Sequence, residues 1–238
     1  MKKRLCIGLI LVLAVFLCAC APKYSDLHSD LYLSDYSAQQ IVKYFDEVVL
    51  HAEYSDGTGN TSVVQKWKNP IRYYIYGDPT DEDLAVLEQL FAQLNQIEGF
   101  PGIHPVSNGE ELHNLSISFL DRNGFNDAFS SAVNGEDAYG AVQFWYYTAT
   151  NEIHTAKVGY RTDIDQATRS SILLEEIVNM LGVSDTVLRQ DSIVYQYSNS
   201  NLALSDVDWV ILKVLYNSAV DCGMDADSCK AIIEQLYY

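Results

Sequence analysis

Positive charge is scarce in this chain of 238 residues, which has 15 lysines and arginines against 32 aspartates and glutamates and a formal charge of −17. Lysine and arginine hold phosphate backbones, so this imbalance argues against nucleic acid as a partner. Long apolar runs are lacking as well, because Leu5–Leu17 is shorter than the roughly 20 residues that cross a bilayer and no later stretch reaches its length. We therefore expect neither a nucleic-acid-binding protein nor a membrane-spanning helix.

The first 20 residues have the parts of a bacterial export signal. Lys2, Lys3 and Arg4 provide a positive start, an apolar run follows, and Leu17-Cys18-Ala19-Cys20 ends it with small residues before a cysteine. This ending resembles the bacterial lipobox, in which the cysteine is diacylated and becomes the new N-terminus. The resemblance implies that Cys20 is the lipidation site, with palmitate among its acyl chains. An ordinary secreted protein with a chance cysteine is the alternative.

Cleavage before Cys20 would divide the chain into three parts. We expect residues 1–19 to be the signal peptide, residues 20–36 a polar tether and residues 37–238 the folded domain. The mature chain keeps 12 basic and 32 acidic residues, a formal charge of −20. We expect it to be anchored by its lipid at the extracytoplasmic face of the cell membrane, or in the outer membrane of a cell that has two.

Only two cysteines remain beside the lipidated one, and both lie near the C-terminus. Thiols outside the cytosol tend to oxidise, so Cys222 and Cys229 are predicted to form a disulfide. A metal site there would lack ligands of the right type, because no histidine follows His154.

Hydrophobic periodicity predicts one compact domain of the α/β or the α+β class, and we favour α+β. Apolar positions at helical spacing alternate along the chain with short runs of β-branched and aromatic residues. The predicted helices are 37–53, one that begins at 78–83 and includes Ile97, and 165–181, and the predicted strands are 71–76, 115–120, 139–148 and 153–160.

The last predicted helix separates apolar from polar side chains. Its apolar residues fill one broad arc and are Leu173, Leu174, Ile177, Val178, Met180 and Leu181. Glu175, Asn179 and Gly182 fall together on the other side, with Glu176 next to them. A solvated face of an amphipathic helix would give the same pattern.

The segment from Glu175 to Asp185 resembles the zinc-binding helix of metzincin-type proteases, His-Glu-x-x-His-x-x-Gly-x-x-His/Asp. In that family two histidines one turn apart bind zinc, the glutamate activates water, the glycine turns the chain and the last residue is the third ligand. The resemblance implies that Glu176 is the general base and Gly182 the turn. Asp185 would be the third ligand, while Glu175 and Asn179 replace the two histidines.

Three further segments extend the resemblance. Ser192–Tyr197 looks like the Met-turn with a valine in place of methionine, Leu204–Tyr216 looks like the helix that follows, and Val64-x-x-Trp67 precedes the first strand. Residues 37–217 therefore resemble the bacterial lipoprotein family DUF2927, in which a Glu-Glu-x-x-Gln/Asn-x-Leu-Gly helix occupies this place. The resemblance implies a zincin-like (metzincin-like) mixed sheet with flanking helices and a motif helix, followed by a C-terminal helical segment.

The replaced histidines weaken the expected zinc site. A carboxamide oxygen is a poor zinc ligand, so Glu175, Asn179 and Asp185 are interpreted as vestigial metal-ligand positions. Without bound metal there is no polarised water for Glu176 to deprotonate, so this residue is catalytic only if a metal binds. No cofactor is predicted, and zinc or another divalent cation is the alternative.

Other side chains are candidates to complete or neutralise this site. A distant histidine is an alternative ligand, and His154 lies on the strand just before the motif helix, although a surface position on that strand explains it as well. His51, His104 and His113 are the remaining candidates in the domain, with His28 in the tether. Buried paired carboxylates require hydrogen bonds, a raised pKa or a cation, and Arg161 or Arg169 would serve as the cationic partner.

Aromatic residues are concentrated in two predicted strands, at 144–147 and at Tyr73, Tyr74 and Tyr76. In a zincin the edge strand beside the cleft pairs with extended substrate, so these rings are candidates for a peptide or glycan groove. Sheet propensity and core packing explain them equally, because alternation places every second ring inside.

Three functions from different classes are consistent with these patterns. The first is a catalytically inactive zincin-like lipoprotein, a pseudoenzyme that binds an extracytoplasmic peptide, protein or cell-wall component. The second is an unconventional metal-dependent peptidase or hydrolase with Glu176 as its base. The third is a structural envelope lipoprotein without a ligand cleft. We favour the first.

Overall fold

The computed structural model describes residues 35–51, 63–109, 111–130, 138–198 and 200–237. The predicted signal peptide and Cys20 lie outside the described residues, as does all of the predicted tether except its last two positions. No helix in the described part is long and apolar enough to cross a membrane. Lipidation of Cys20 therefore stays a prediction.

Helices and strands follow one another much as the periodicity predicts. The helices are α1 (Ala38–Phe45), α2 (Asp81–Leu94), α3 (Arg122–Phe129), α4 (Gln166–Met180), α5 (Asp206–Leu215) and α6 (Ala226–Leu236). The strands are β1 (Lys66–Trp67), β2 (Ile71–Gly77), β3 (Ile103–Pro105), β4 (Leu115–Leu120), β5 (Gly140–Tyr146) and β6 (Glu152–Arg161). The first helix ends earlier than predicted, because a π-helical turn over Asp46–Leu50 replaces its last turns.

The six strands form one mixed sheet. Strands β6, β4, β2 and β3 lie side by side and run parallel, and β1 pairs in parallel with the first two residues of β6. Strand β5 is the exception, since it runs antiparallel to β6 as the other arm of a hairpin. This mixed sheet with flanking helices confirms the predicted α+β class.

The main core lies between one face of the sheet and helices α2 and α4. Strands β4 and β6 direct Leu115, Ile117, Phe119, Ala156, Val158 and Tyr160 towards this core. The rings of Tyr73 on β2 and Phe91 on α2 lie 4.8 Å apart, and Tyr160 donates a hydrogen bond to the Leu173 carbonyl of α4 over 3.3 Å. Helix α3 covers part of the opposite face with Phe125 and Phe129.

A buried ion pair fixes α2 against α4. Asp83 lies in the first turn of α2, where it also caps the helix by accepting from the Thr80 backbone over 2.8 Å. Its carboxylate accepts from Arg169 Nε at 2.9 Å and from Gln166 Nε2 at 2.7 Å, both on α4. Burial opposes the negative charge, but the hydrogen bonds from Arg169 and Thr80 outweigh it and keep the pKa of Asp83 below its ordinary value.

The C-terminal end of α4 is held by side chains from distant parts of the chain. Helix ends leave carbonyl groups without partners in the helix. Here Trp67 Nε1 donates to the Met180 carbonyl at 2.9 Å, and the Tyr216 hydroxyl donates to the Leu181 carbonyl at 3.0 Å. Gly182 then turns the chain with φ of +99°, at a point where a Cβ atom would lie 2.1 Å from the Gln65 carbonyl oxygen.

Lys66 performs a similar role for α5. Its ammonium group is buried and donates to the carbonyls of Leu215 at 2.8 Å and Val220 at 2.5 Å, just past the end of that helix. Burial lowers the pKa of Lys66 to about 8. Residues 66 and 67 thus connect β1 to the ends of both α4 and α5.

The two C-terminal cysteines are free thiols in this structure. Cys222 donates a weak hydrogen bond from Sγ to the Lys66 carbonyl at 3.6 Å, whereas Cys229 is buried on α6. Burial raises the pKa of Cys229 to about 11 and also raises that of Cys222, which disfavours the reactive thiolates. A disulfide between them stays a prediction.

We expect Gly182→Ala to destabilise the domain by at least about 2 kcal/mol, because the added methyl group meets the backbone of Gln65 in addition to the strain of positive φ. Gly223→Ala is the matched control, since Gly223 has φ of +82° but its nearest neighbour is a side-chain nitrogen at 3.3 Å. Chemical denaturation of both variants measures the difference. Equal losses would show that the contact with Gln65 adds nothing.

Candidate functional site

The polar side of α4 lies where the sequence predicts it. The apolar residues of the helix are buried against the sheet, while Glu175, Glu176 and Asn179 keep part of their surface exposed. These three residues and Asp185, which follows the turn at Gly182, are called the acidic site below. The helix lies over the β5–β6 hairpin, so the acidic site borders the antiparallel edge strand.

Glu176 lies directly against the first residue of that strand. A Cβ atom on Gly140 would lie 2.8 Å from Glu176 Oε1 and 2.3 Å from Ile172 Cγ2. Glycine therefore allows α4 to approach β5 closely enough to place a carboxyl group at the strand. The sequence offers no signal for this role of Gly140 except its position at the start of an aromatic strand.

Asn179 and Asp185 are in direct contact. Asn179 Nδ2 donates to Asp185 Oδ1 over 2.9 Å, across the turn at Gly182. The other end of the same amide, Oδ1, is buried without a hydrogen-bond partner. The structure thus brings together two of the predicted vestigial ligand positions, but it joins them to each other.

Burial and like charge dominate the electrostatics of the acidic site. Burial, followed by repulsion from Asp185, raises the pKa of Glu175 to about 8. The pKa of Glu176 is raised well above its ordinary value by burial and then by Glu175 and Asp185. Two adjacent carboxyl groups therefore favour their neutral forms.

The arginines predicted to neutralise these carboxyl groups are engaged elsewhere. Arg161 donates from Nε and Nη2 to the two carboxylate oxygens of Asp163, at 2.8 and 2.6 Å. Arg169 forms the buried ion pair with Asp83. The predicted partnership with either arginine is wrong, because each finds a carboxylate closer to its own place in the fold.

The histidines of the described ranges do not join the acidic site either, and His28 lies outside those ranges. His154 stacks on Tyr147 with ring centroids 4.3 Å apart, at the turn end of the β5–β6 hairpin, whereas Glu176 lies at the opposite end beside Gly140. His113 Nε2 lies 3.2 Å from the hydroxyl of Tyr76 on β2. The position of His154 agrees with the alternative of a surface strand residue.

The donor set does not fit a zinc ion. The amide of Asn179 turns its nitrogen towards Asp185, so this pair presents a hydrogen bond where a metal site needs two converging lone pairs. Across the described ranges, no group of three or more histidine, cysteine, aspartate or glutamate residues is placed to hold a metal ion. We derive no metal-dependent step for these residues.

The segment that resembles a Met-turn packs beside the acidic site. The Thr186 backbone donates to the Val194 carbonyl over 2.8 Å, and Val194 is buried at 1% exposure. Asp208 on α5 holds this segment in place, because its carboxylate accepts hydrogen bonds from Ser192 Oγ at 2.6 Å and from the Ile193 backbone at 3.0 Å. Val194, at the place of the methionine, is thus a core residue that is joined through its backbone to Thr186, the residue after Asp185.

A comparison with family models identifies the group to which this mixed-sheet domain belongs. Residues 38–235 match the family described as "Protein of unknown function (DUF2927)". Because the match covers most of the chain, the protein belongs to the DUF2927 family, as the motif resemblance predicts. No curated protein matches the chain.

The raised pKa values predict a stability that falls with rising pH. The carboxyl group of Glu175 keeps its proton in the folded protein up to about pH 8, but the unfolded chain releases it near its ordinary value of 4.5. Unfolding therefore releases protons between these values, and the free energy of unfolding decreases as the pH rises through this window. We expect Glu175→Gln or Glu176→Gln to stabilise the domain at pH 8 by on the order of 1 kcal/mol and to flatten this dependence.

Chemical denaturation between pH 4.5 and 8.5 measures this effect. Glu88→Gln is the control, because Glu88 is an exposed carboxylate on α2. A slope as steep as that of the wild type in both site variants would contradict the assignment.

Proposed function

We propose that this protein is a lipid-anchored, extracytoplasmic binding protein whose zincin-like domain has lost catalysis and takes a peptide, protein or cell-envelope component beside α4. The hydrogen bond between Asn179 and Asp185 carries this proposal, because it occupies the positions at which a zincin binds its metal. Localisation and lipidation enter from the N-terminal sequence.

The place of β5 supports a zincin-like arrangement. It is the one antiparallel strand of the sheet, it lies next to the motif helix, and within the described residues it pairs with β6 alone. Its other edge therefore offers backbone groups to an added strand. An extended segment bound there would run past Glu176, which touches the start of β5.

The state of Glu176 argues against a hydrolytic role. A general base must be ionised to accept a proton, and its ideal pKa lies near the working pH. Burial and the neighbouring Glu175 and Asp185 raise the pKa of Glu176 well above its ordinary value, which disfavours the ionised form that a base requires. A cationic group of a ligand would lower these pKa values and replace the missing arginines.

Protein purified without its lipid tests the proposal through metal content, hydrolysis and ligand-induced stabilisation. We expect no stoichiometric zinc, no cleavage of generic peptides, and a rise in melting temperature with a lysine-rich extended peptide, because a ligand of the folded state stabilises it by mass action. Glu175→Gln and Glu176→Gln should abolish the rise, and Glu88→Gln should retain it. An acidic peptide of the same length serves as the ligand control.

Two results would overturn the inactive assignment. Zinc at one equivalent that is lost in Asp185→Ala would establish a metal site, and peptide cleavage abolished by Glu176→Gln would establish catalysis. The double variant Glu175→His with Asn179→His is the positive control for geometry. It should gain zinc with Asp185 as third ligand if the helix and turn keep a zincin arrangement.

Lipidation is tested by labelling cells with radioactive palmitate. Cys20→Ala should remove the label and release the protein into the aqueous fraction, because the acyl chains on this residue are the proposed anchor. Cys18→Ala is the matched control, since it keeps a small residue within the lipobox-like segment. Labelled Cys20→Ala protein would show that the anchor lies elsewhere.

A further inference from the structure

The face of the sheet opposite the main core carries a row of polar and aromatic side chains. Tyr74 pairs in register with Ser116, Ser116 with Lys157, and Lys157 with Gln143, so the four side chains lie on the same face of β2, β4, β6 and β5. At about 4.8 Å per strand the row is about 14 Å long. We call it, with Tyr76 and Trp145, the outer platform.

Aromatic rings stand at both ends of the outer platform. At the β2 end, the rings of Tyr74 and Tyr76 meet edge to face at 4.8 Å, and Tyr76 is 39% exposed. At the β5 end, Trp145 is 43% exposed, and Lys157 Nζ lies 5.8 Å from the centre of its ring. Hydroxyl, amide and ammonium groups lie between these rings.

Among the described residues, helix α3 covers one margin of this face, and Gly109 lies against the ring of Tyr74 at the other. Its Phe129 packs where a Cβ atom on Gly159 would lie 2.2 Å from the ring, two residues beyond Lys157 on β6. The row from Tyr74 to Gln143 lies on the other side of this contact. Of its members, Lys157 is exposed and the other three are partly exposed.

The charge of the platform is opposite to that of the whole protein. The described strand residues on this face include three cations, Arg72, Lys157 and Arg161, in a chain with a formal charge of −17. Arg161 is paired with Asp163 at 2.6 Å and Arg72 lies 3.6 Å from Glu111, whereas Lys157 has no carboxylate within 4 Å among the described residues. The local charge thus favours a partner of negative sign.

We propose that the outer platform binds an acidic polysaccharide. Flat aromatic rings offer surfaces for the apolar faces of sugar rings, Ser116 and Gln143 match sugar hydroxyls, and Lys157 with Arg72 matches carboxylate groups. A length of about 14 Å suits an extended chain rather than one small molecule. The platform and the acidic site lie on opposite faces of the β5–β6 hairpin, so this inference does not depend on the function proposed for the acidic site.

Titration with a galacturonic acid hexamer tests the proposal. Trp145 is the exposed tryptophan near the row, so saturable quenching of its fluorescence should report binding, and calorimetry gives the affinity of variants. We expect about tenfold weaker binding in Trp145→Ala and about threefold weaker binding in Lys157→Gln. Raising the salt from 0.1 to 1 M should weaken binding, as the screening length falls from about 10 to 3 Å.

Matched variants and ligands make the result specific. Tyr197→Ala removes a more exposed ring elsewhere, and Lys230→Gln removes an exposed lysine on α6, so both variants should bind as the wild type does. A neutral glucose hexamer should bind at least threefold more weakly. Circular dichroism confirms that the variants fold.

Three results would overturn the inference. They are no saturable binding of the acidic hexamer at millimolar concentration, equal binding of a polyglutamate peptide, and unchanged affinity in both Trp145→Ala and Lys157→Gln.

Discussion

The backbone of Gly182 approaches the carbonyl oxygen of Gln65 so closely that no side chain fits between them. This contact joins the end of α4 to the segment that enters β1, and the hydrogen bond from Trp67 to Met180 reinforces it. Helix α4 is thereby fixed in its position along the hairpin. The two features of the acidic site follow, because Glu176 meets Gly140 and Asn179 meets Asp185 only when α4 stops at this point.

Most of the residues that carry the family resemblance stabilise the C-terminal end of α4. Trp67 and Tyr216 each donate to a carbonyl at the end of α4, and Gly182 supplies the turn. Asp185 is the exception, since it contacts a polar side chain of the helix. The resemblance therefore identifies a scaffold, and a scaffold does not determine chemistry. Metal binding depends on the side chains at the two ligand positions of the helix, which are imidazoles in a metzincin and the carboxyl and amide groups of Glu175 and Asn179 here.

The elements that short-range sequence patterns determine, such as β4 and α4, could be predicted from the sequence. Strand β4 has the predicted bounds because its residues alternate strictly, and α4 is marked by its Asp165 cap and the glycine after it. Helix α3 was missed, since a short segment with a central glycine has little helical signal. The pairing of Arg169 with Asp83 could not be predicted, because it joins residues 86 positions apart and depends on how α2 lies on α4.

The acidic site costs the fold stability near neutral pH. Glu175 and Glu176 lie side by side with raised pKa values, whereas Asp83, also buried, is neutralised by Arg169. Within the part of the chain that the structure describes, the fold thus provides an arginine for Asp83 and none for Glu175 or Glu176. Natural sequences deviate from local consistency mostly where function requires it, and perturbed pKa values cluster at functional sites. A ligand with a positive group would remove the cost, which is why we favour a binding role over a structural one.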